Sequence, residues 1–232
     1  MKAMARVREF IVFVFLISLL TSCATLEDSD NTQCFDAYSA SDLIEETDPP
    51  IPEPEPCQYP GSSGSLLYNE IFPELSWLNA YNSEGDKVEL HFLDQYCGSG
   101  IDIAHYDSII LAIGAGWCPY CPAYMLYIDA MAEELRENNV LIIYAELQTD
   151  TGVSAPSDYA HDYVNNLGIT SGFRVGDADT WPIMNFLTNS SDIVAYPTAF
   201  VIRTRDMRII ANQRDSNYYL DFRSITAGIS TN

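Results

Sequence analysis

The sequence predicts an α/β domain built on a central mixed sheet flanked by helices. Three observations predict it. Two short continuous apolar runs, "SIILAIGA" (108–115) and "VLIIYAEL" (140–147), read as strands buried on both faces. The stretch between them carries apolar residues at helical spacing, so strand, helix and strand form a parallel unit. Farther on, "PTAFVIRTRDMRIIA" reads as two strands about a tight turn at Thr204 to Asp206, an antiparallel hairpin that makes the sheet mixed.

Taken in order, the elements begin with targeting. "MKAMARVR" is a positive n-region and "FIVFVFLISLL" an apolar h-region too short to span a bilayer, so residues 1–22 read as a signal peptide. Leu20-Thr21-Ser22-Cys23 resembles the bacterial lipobox, which would make Cys23 the lipidated first residue of an exported chain anchored to a membrane and facing the periplasm. Ala24 in place of Asp points to the outer membrane over the inner one. Residues 23–65 follow as an acidic, Pro-rich tether. In "DLIEETDPPIPEPEPCQYPGSSGS" too few large apolar residues are present to offset the entropy of ordering, and the Pro-Glu repeats favour extended conformations.

Residues 66–232 form the folded domain. "KVELHFL" (87–93) reads as a strand after the turn "NSEGD". A helix is expected from Pro119 to Glu137, with Tyr124, Tyr127, Ile128, Met131 and Leu135 as its apolar stripe. "SDYAHDYVNNLG" offers a serine cap and a closing glycine for a short helix, and "DTWPIMNFLTNS" reads as another. A last helix runs from Ser216 or Asn217 through Ala227 and ends at Gly228.

Charge and composition exclude several function classes. A formal charge of −22 repels phosphate backbones, which argues against nucleic acid as a partner. The three histidines, His91, His105 and His161, are scattered and arrange no metal site. No cofactor motif is present, so no cofactor is expected.

The chemistry concentrates in "GAGWCPYCPAYM" (114–125). Cys118 falls where the first buried strand meets the helix, and the unpaired N–H groups of a helix N-terminus stabilise an anion there. That depresses a thiol pKa, and the thiolate is the nucleophile. No Lys or Arg occurs between Lys87 and Arg136, so the helix end supplies most of the local effect. Cys121, three residues on and one turn deeper, is placed to resolve a mixed disulfide formed at Cys118. Pro119 suits a first helical turn. Two other readings stand beside this one: a Cu(I) site completed by Met125, and a permanent Cys118–Cys121 staple in a non-catalytic surface lipoprotein.

"WCPYC" after an apolar strand resembles the thioredoxin superfamily active site. Ala195-Tyr196-Pro197-Thr198 ahead of the strand "AFVI" is similar to the segment where that family keeps a cis-proline facing the dithiol. "FPELSWLNAYNSEGDKVELHFLDQY" resembles the N-terminal hairpin of TlpA/ResA-like, redoxin-domain thiol oxidoreductases. The resemblance covers roughly residues 70 to 230. It implies a thioredoxin fold with an N-terminal β-hairpin extension and an insertion before the cis-Pro, and a thiol-disulfide oxidoreductase acting on protein thiols and disulfides with a redox partner protein. It also implies that Trp117, Tyr196 and Pro197 contact substrate. A peroxiredoxin fits worse, since the Thr or Ser needed three residues before the cysteine is Ala115. Relatives often carry a glutamate where this chain has Tyr124, and thioredoxins an aspartate where it has Ala112. Glu146, in "YAELQ", is a candidate substitute proton acceptor for Cys121, although a solvated strand-end carboxylate is the preferred reading of it.

Cys34, Cys57 and Cys97 remain. An exported chain keeps disulfides, and Cys57–Cys97 is preferred over Cys34–Cys57, because Cys97 otherwise sits beside a packed strand with no role.

Overall fold

The computed structural model describes residues 56–98, 105–178, 182–189, 195–216 and 218–229. The signal segment, Cys23, Cys34 and the tether up to residue 55 lie outside the described residues. The chain divides into two units, Met1–Glu53 and Pro54–Asn232, and every described residue belongs to the second.

In chain order the elements are β1 (Ser76–Tyr81), β2 (Lys87–His91), α1 (Phe92–Cys97), β3 (Ser108–Gly114), α2 (Cys121–Asp129), α3 (Ala132–Glu137) and β4 (Val140–Glu146). Then come α4 (Ser157–Asn166), β5 (Phe173–Gly176), α5 (Pro182–Asn189), β6 (Thr198–Arg203), β7 (Arg208–Asn212) and α6 (Phe222–Ala227). The strands form one sheet in the order β2-β1-β5-β4-β3-β6-β7. At its centre β3 pairs parallel with β4 from Ser108↔Val140 to Gly114↔Glu146, and antiparallel with β6 on its other side. The two apolar runs are therefore neighbours, every residue of both is buried, and their ends coincide at Gly114 and Glu146.

Strand alternation divides the buried side chains into two cores. Ile109, Leu111 and Ile113 of β3 join Phe72, Leu90, Phe92 and Phe200 on one face. Ile110 and Ala112 join Tyr124, Ile128, Tyr144, Val201 and Phe222 on the other. Each large apolar side chain buried in this way contributes about 1.5–3 kcal/mol. The β1–β2 hairpin meets the main sheet at a single register pair, Tyr81↔Arg174. Arg174 reinforces the joint: buried, it donates to the carbonyls of Asn82 and Gly172 at 2.8 Å and of Ile169 at 3.1 Å. At the opposite edge, residues 66–73 cover β7 through Asn69 N–H to Ile209 O and Phe72 N–H to Met207 O, both at 2.7 Å.

Several elements depart from the expected bounds. The strand read over 87–93 stops at His91, because Phe92 and Gln95 turn inward one helical turn apart and Gly98, at φ 65°, closes α1 behind them. The helix expected from Pro119 to Glu137 starts at Cys121 and divides at Met131, whose N–H bonds to Ile128 O one residue short of the α-helical register. Ser157 does not cap α4. Pro156 occupies that position, and the Ser157 hydroxyl accepts the Gly176 N–H instead. The last helix begins at Phe222, not Ser216 or Asn217, since Asp221 caps it through Ser224 and Gln213 holds the Tyr218 carbonyl outside it. The strand β5 went unread in the sequence; it is four residues long and includes a buried arginine.

Residues 57–65, read from composition as the end of the tether, run against the domain. The Tyr59 hydroxyl donates to Phe72 O at 2.9 Å, and Cys57 forms a disulfide with Cys97 across 40 residues of sequence. Closing a loop of that length stabilises a fold by about 2–4 kcal/mol. The double variant Cys57→Ser/Cys97→Ser is expected to lose this amount in urea unfolding while Cys118 keeps its reactivity towards thiol reagents.

Candidate active site

The buried strand β3 delivers the dithiol. After Gly114 the chain turns twice: Cys118 N–H donates to Ala115 O at 2.8 Å and Cys121 N–H to Cys118 O at 3.4 Å. Cys118 thus lies in the turn ahead of α2 and is not its first residue, as the sequence reading had it. Pro122, not Pro119, takes the first-turn position whose missing N–H is harmless. Cys118 and Cys121 are joined as a disulfide with Cα atoms 5.5 Å apart. Both are buried, Cys121 completely.

The Tyr196-Pro197 peptide is cis, and Tyr196 packs against Ala115, Cys118 and Cys121. Trp117 lies edge-on to Tyr196 with ring centroids 5.8 Å apart, and its indole N–H donates to Gln148 Oε1 at 2.8 Å. Gln148 also accepts the Gly116 N–H on its carbonyl, so one residue after β4 positions both the indole and the turn. Trp117 and Tyr120 stay exposed beside the buried sulfurs.

Glu146 is where the structure most changes the sequence reading. The preferred expectation, a solvated carboxylate, is corrected: Glu146 is fully buried, because β4 ends level with β3 under the dithiol turn. Neither carboxyl oxygen has a hydrogen-bond partner among the described residues. Burial without a compensating charge pushes its pKa up to about 8. The tyrosines around it, Tyr159 and Tyr163 of α4 and Tyr196 of the cis segment, are raised too, first by burial and then by the Glu146 charge among others, so they stay neutral while it titrates.

Gly114 lies between Glu146 and Cys121. A Cβ built there would lie 2.7 Å from Glu146 Oε1, 2.9 Å from Met125 Cε and 3.4 Å from Cys121 Cβ. The Glu146 carboxyl and the Cys121 side chain therefore flank the space left by one missing methyl group. Gly114→Ala is expected to fold, because both crowded atoms end flexible side chains, yet to displace Glu146 from Cys121. The pH dependence of disulfide opening by dithiothreitol should flatten while the melting temperature shifts by only a few degrees. Gly116 differs in kind: its Cβ would meet Tyr159 Oη at 2.1 Å and the Asp150 backbone nitrogen at 2.7 Å.

Two residues weighed in the sequence belong to the core. Tyr124, where relatives often carry an acid, is buried in an aromatic cluster with Tyr127, Tyr219 and Phe222 and donates to Gln213 Oε1 at 2.8 Å. Met125 is buried beside Cys121 as core. Gly114 and Gln148 were missed in the sequence, and the only signal was a glycine four residues before the first cysteine, in "GAGWC".

No family model and no curated protein matches the chain in sequence. Solved structures do match in shape. The reduced 2-Cys peroxiredoxin of Plasmodium vivax aligns with a TM-score of 0.50 at 12% identity, covering 70% of this chain and 80% of that one. Thioredoxin peroxidase I of Plasmodium yoelii gives 0.50 at 12% identity, covering 71% and 89%. The thioredoxin domain of a thiol-disulfide oxidoreductase from Bacteroides vulgatus gives 0.47 at 12%, covering 72% and 99%. The chain has the thioredoxin fold, α/β with a mixed sheet flanked by helices.

Proposed function

We propose that this thioredoxin-fold chain is a membrane-anchored thiol-disulfide oxidoreductase acting on exported protein thiols and disulfides. The observation that carries the reading is the Cys118–Cys121 disulfide, set between the central strand and α2 and faced by the cis Tyr196-Pro197 peptide. Export and anchoring at Cys23 rest on the signal sequence and its lipobox-like end.

In the reducing direction the Cys118 thiolate attacks one sulfur of a substrate disulfide. That bond breaks, a mixed disulfide forms and one substrate thiolate leaves. Cys121 then attacks the Cys118 sulfur, its proton passes to the Glu146 carboxylate, and the second substrate thiol is released. Two electrons have moved from the dithiol to the substrate, and a redox partner protein restores them. In the oxidising direction a substrate thiolate opens the Cys118–Cys121 bond, and protonated Glu146 gives its proton to the Cys121 sulfur. With its pKa pushed up to about 8, Glu146 is mainly protonated at neutral pH, the form this opening step needs.

Magnitude limits how reactive Cys118 is. A helix terminus contributes about 0.3–1 kcal/mol to an exposed charge and up to about 2 kcal/mol to a partly buried one, roughly one and a half pKa units at most. Trp117, Tyr196 and Pro197 bound the approach of substrate to it. The test is reduction of insulin by the pre-reduced chain, with Cys118→Ser as the control. Equal rates in the two proteins contradict the proposal.

A further inference from the structure

Before β1 the chain crosses the length of the domain twice. The first leg starts at the end of the sheet remote from the dithiol. Cys57 is bonded there to Cys97, the last residue of α1, and the Gln95 side chain of that helix accepts the Tyr106 N–H just ahead of β3 at 3.1 Å. Tyr59 holds the same end, donating to Phe72 O at 2.9 Å and meeting the Tyr96 ring edge-on with centroids 6.1 Å apart. The leg finishes at the dithiol end, where the Leu66 carbonyl accepts from Asn212 Nδ2 at 3.3 Å and Leu66 lines a groove with Pro197 and Thr198. The second leg then returns along β7 to Ile71, which bridges Arg208. Strand register sets these levels: Arg208 pairs with Arg203 and Arg203 with Ser108 at the start of β3, while Thr198 pairs with Ile113 next to Gly114.

The two legs are fastened differently. The second is held by backbone, with Asn69 N–H on Ile209 O, Phe72 N–H on Met207 O and Ile209 N–H on Glu70 O. The first has no residue from 57 to 65 in a helix or strand. Exposed side chains lace it to the second, the Ser62 hydroxyl donating to Ile71 O at 2.8 Å and the Ser63 hydroxyl to Glu70 Oε2 at 2.7 Å. Its covalent hold lies at its start, where Cys57 is exposed and Cys97 half-buried.

We infer that the Cys57–Cys97 disulfide is a redox-operated clasp that selects the end of the domain from which the tether leaves. Closed, it delivers the tether to Cys57, at the end remote from the dithiol. Opened, it frees residues 57–65, and the tether then leaves at Leu66, beside Pro197. The two exits are about 20 Å apart, the rise of a strand the length of β3. The inference goes beyond the proposed function and rests on it for the anchor at Cys23. In an anchored chain the closed clasp turns the dithiol away from the membrane and the open one brings it towards the surface. Opening takes two electrons from a protein dithiol. One of its thiolates attacks the exposed Cys57 sulfur, the Cys57–Cys97 bond breaks and Cys97 leaves as a thiolate. The second thiol of the dithiol then displaces Cys57, the dithiol becomes a disulfide, and the two protons it gives up end on Cys57 and Cys97. The dithiol comes from another molecule, because the chain's own Cys118 lies at the far end of β3.

The test has two arms. In the first, a fluorescent donor and acceptor are carried on ketone-bearing residues, so that no thiol is used, in place of Gln58 and of Tyr218. Tyr218 is exposed at the dithiol end, where its carbonyl accepts from Gln213, a residue of the groove that holds Leu66 and Pro197. The full chain carries Cys118→Ser/Cys121→Ser, so dithiothreitol acts on the clasp and not on the dithiol. Oxidised, it should give one narrow distance distribution. Reduced, it should give a shorter and broader one, since position 58 then moves about Leu66 on a leash of about eight residues with an r.m.s. reach of about 15 Å. A distribution unchanged by dithiothreitol overturns the inference. In the second arm the lipid-anchored chain, in phosphatidylethanolamine and phosphatidylglycerol vesicles, oxidises a dithiol probe placed on a lipid headgroup or on a soluble peptide. The Cys118–Cys121 bond takes the two electrons in a single turnover, so no other oxidant enters. The ratio of headgroup to soluble initial rates should rise severalfold in Cys57→Ser/Cys97→Ser, and an equal ratio in the two proteins overturns the inference. Failure to oxidise either probe overturns the dithiol reading instead, a failure the distance arm does not share.

Discussion

Cys118→Ser is expected to reduce insulin no faster than the added reductant alone, whereas Cys121→Ser should react once and stop as a mixed disulfide. The asymmetry follows from position. Cys121 is fully buried and begins α2, while Cys118 lies in the preceding turn between exposed Trp117 and exposed Tyr120. An incoming sulfur meets Cys118 first, and only Cys121 is close enough to release what has bound there. Mass spectrometry of the Cys121→Ser protein after exposure to a peptide disulfide should find one adduct, on Cys118. Equal trapping at both cysteines in the reciprocal variants would contradict the assignment of roles.

Glu146→Gln is expected to change both stability and chemistry. Burial holds the Glu146 carboxyl at about 8, against an ordinary value of 4.5. The folded, oxidised protein therefore keeps a proton that the unfolded chain has lost between those two values. Stability falls as pH rises through that window and levels off above it. By pH 7 the loss is on the order of 3 kcal/mol. Asp177, pushed by burial up to about 6 even though it accepts the Ile183 and Met184 N–H groups, adds a fall of the same sign at lower pH. Urea unfolding of oxidised Glu146→Gln should lose the decline between pH 6 and 8 and keep, below pH 6, only the shallower fall due to Asp177. Opening of the disulfide by dithiothreitol, corrected for thiolate fraction, should slow by about 10²-fold, the low end of general acid–base contributions. A Glu146→Gln protein with the wild-type pH profile would remove Glu146 from the mechanism.

The sequence made the centre of this fold legible because burial there is written in composition. "SIILAIGA" and "VLIIYAEL" carry only Ser108 and Glu146 as residues that water would prefer at strand positions, and they pair as neighbours. The β6–β7 hairpin and the cysteine pair at a strand end could be read for similar reasons. Glu146 could not be placed, because its burial depends on the register Gly114↔Glu146 and on a glycine that leaves room, and both are tertiary facts. The bounds of α2 and α6 were missed where turn hydrogen bonds, from Cys118 N–H to Ala115 O and from Gln213 to Tyr218 O, override helical periodicity. The strand β5 was missed because Arg174, held through its terminal nitrogens by three carbonyls, is buried in it. Charge and periodicity say nothing about such a residue until its partners are in place.

The central claim is that Cys118 and Cys121 form a redox couple and not a permanent staple. It is tested most directly by equilibrating the chain in dithiothreitol buffers and measuring the reduction potential of that pair, with Cys57→Ser/Cys97→Ser as background. The account predicts a potential within the range of thioredoxin-fold oxidoreductases, about −270 to −120 mV, and a Cys118 thiol that alkylates readily once reduced. A potential below about −300 mV with an unreactive Cys118 would mark a structural disulfide and contradict it.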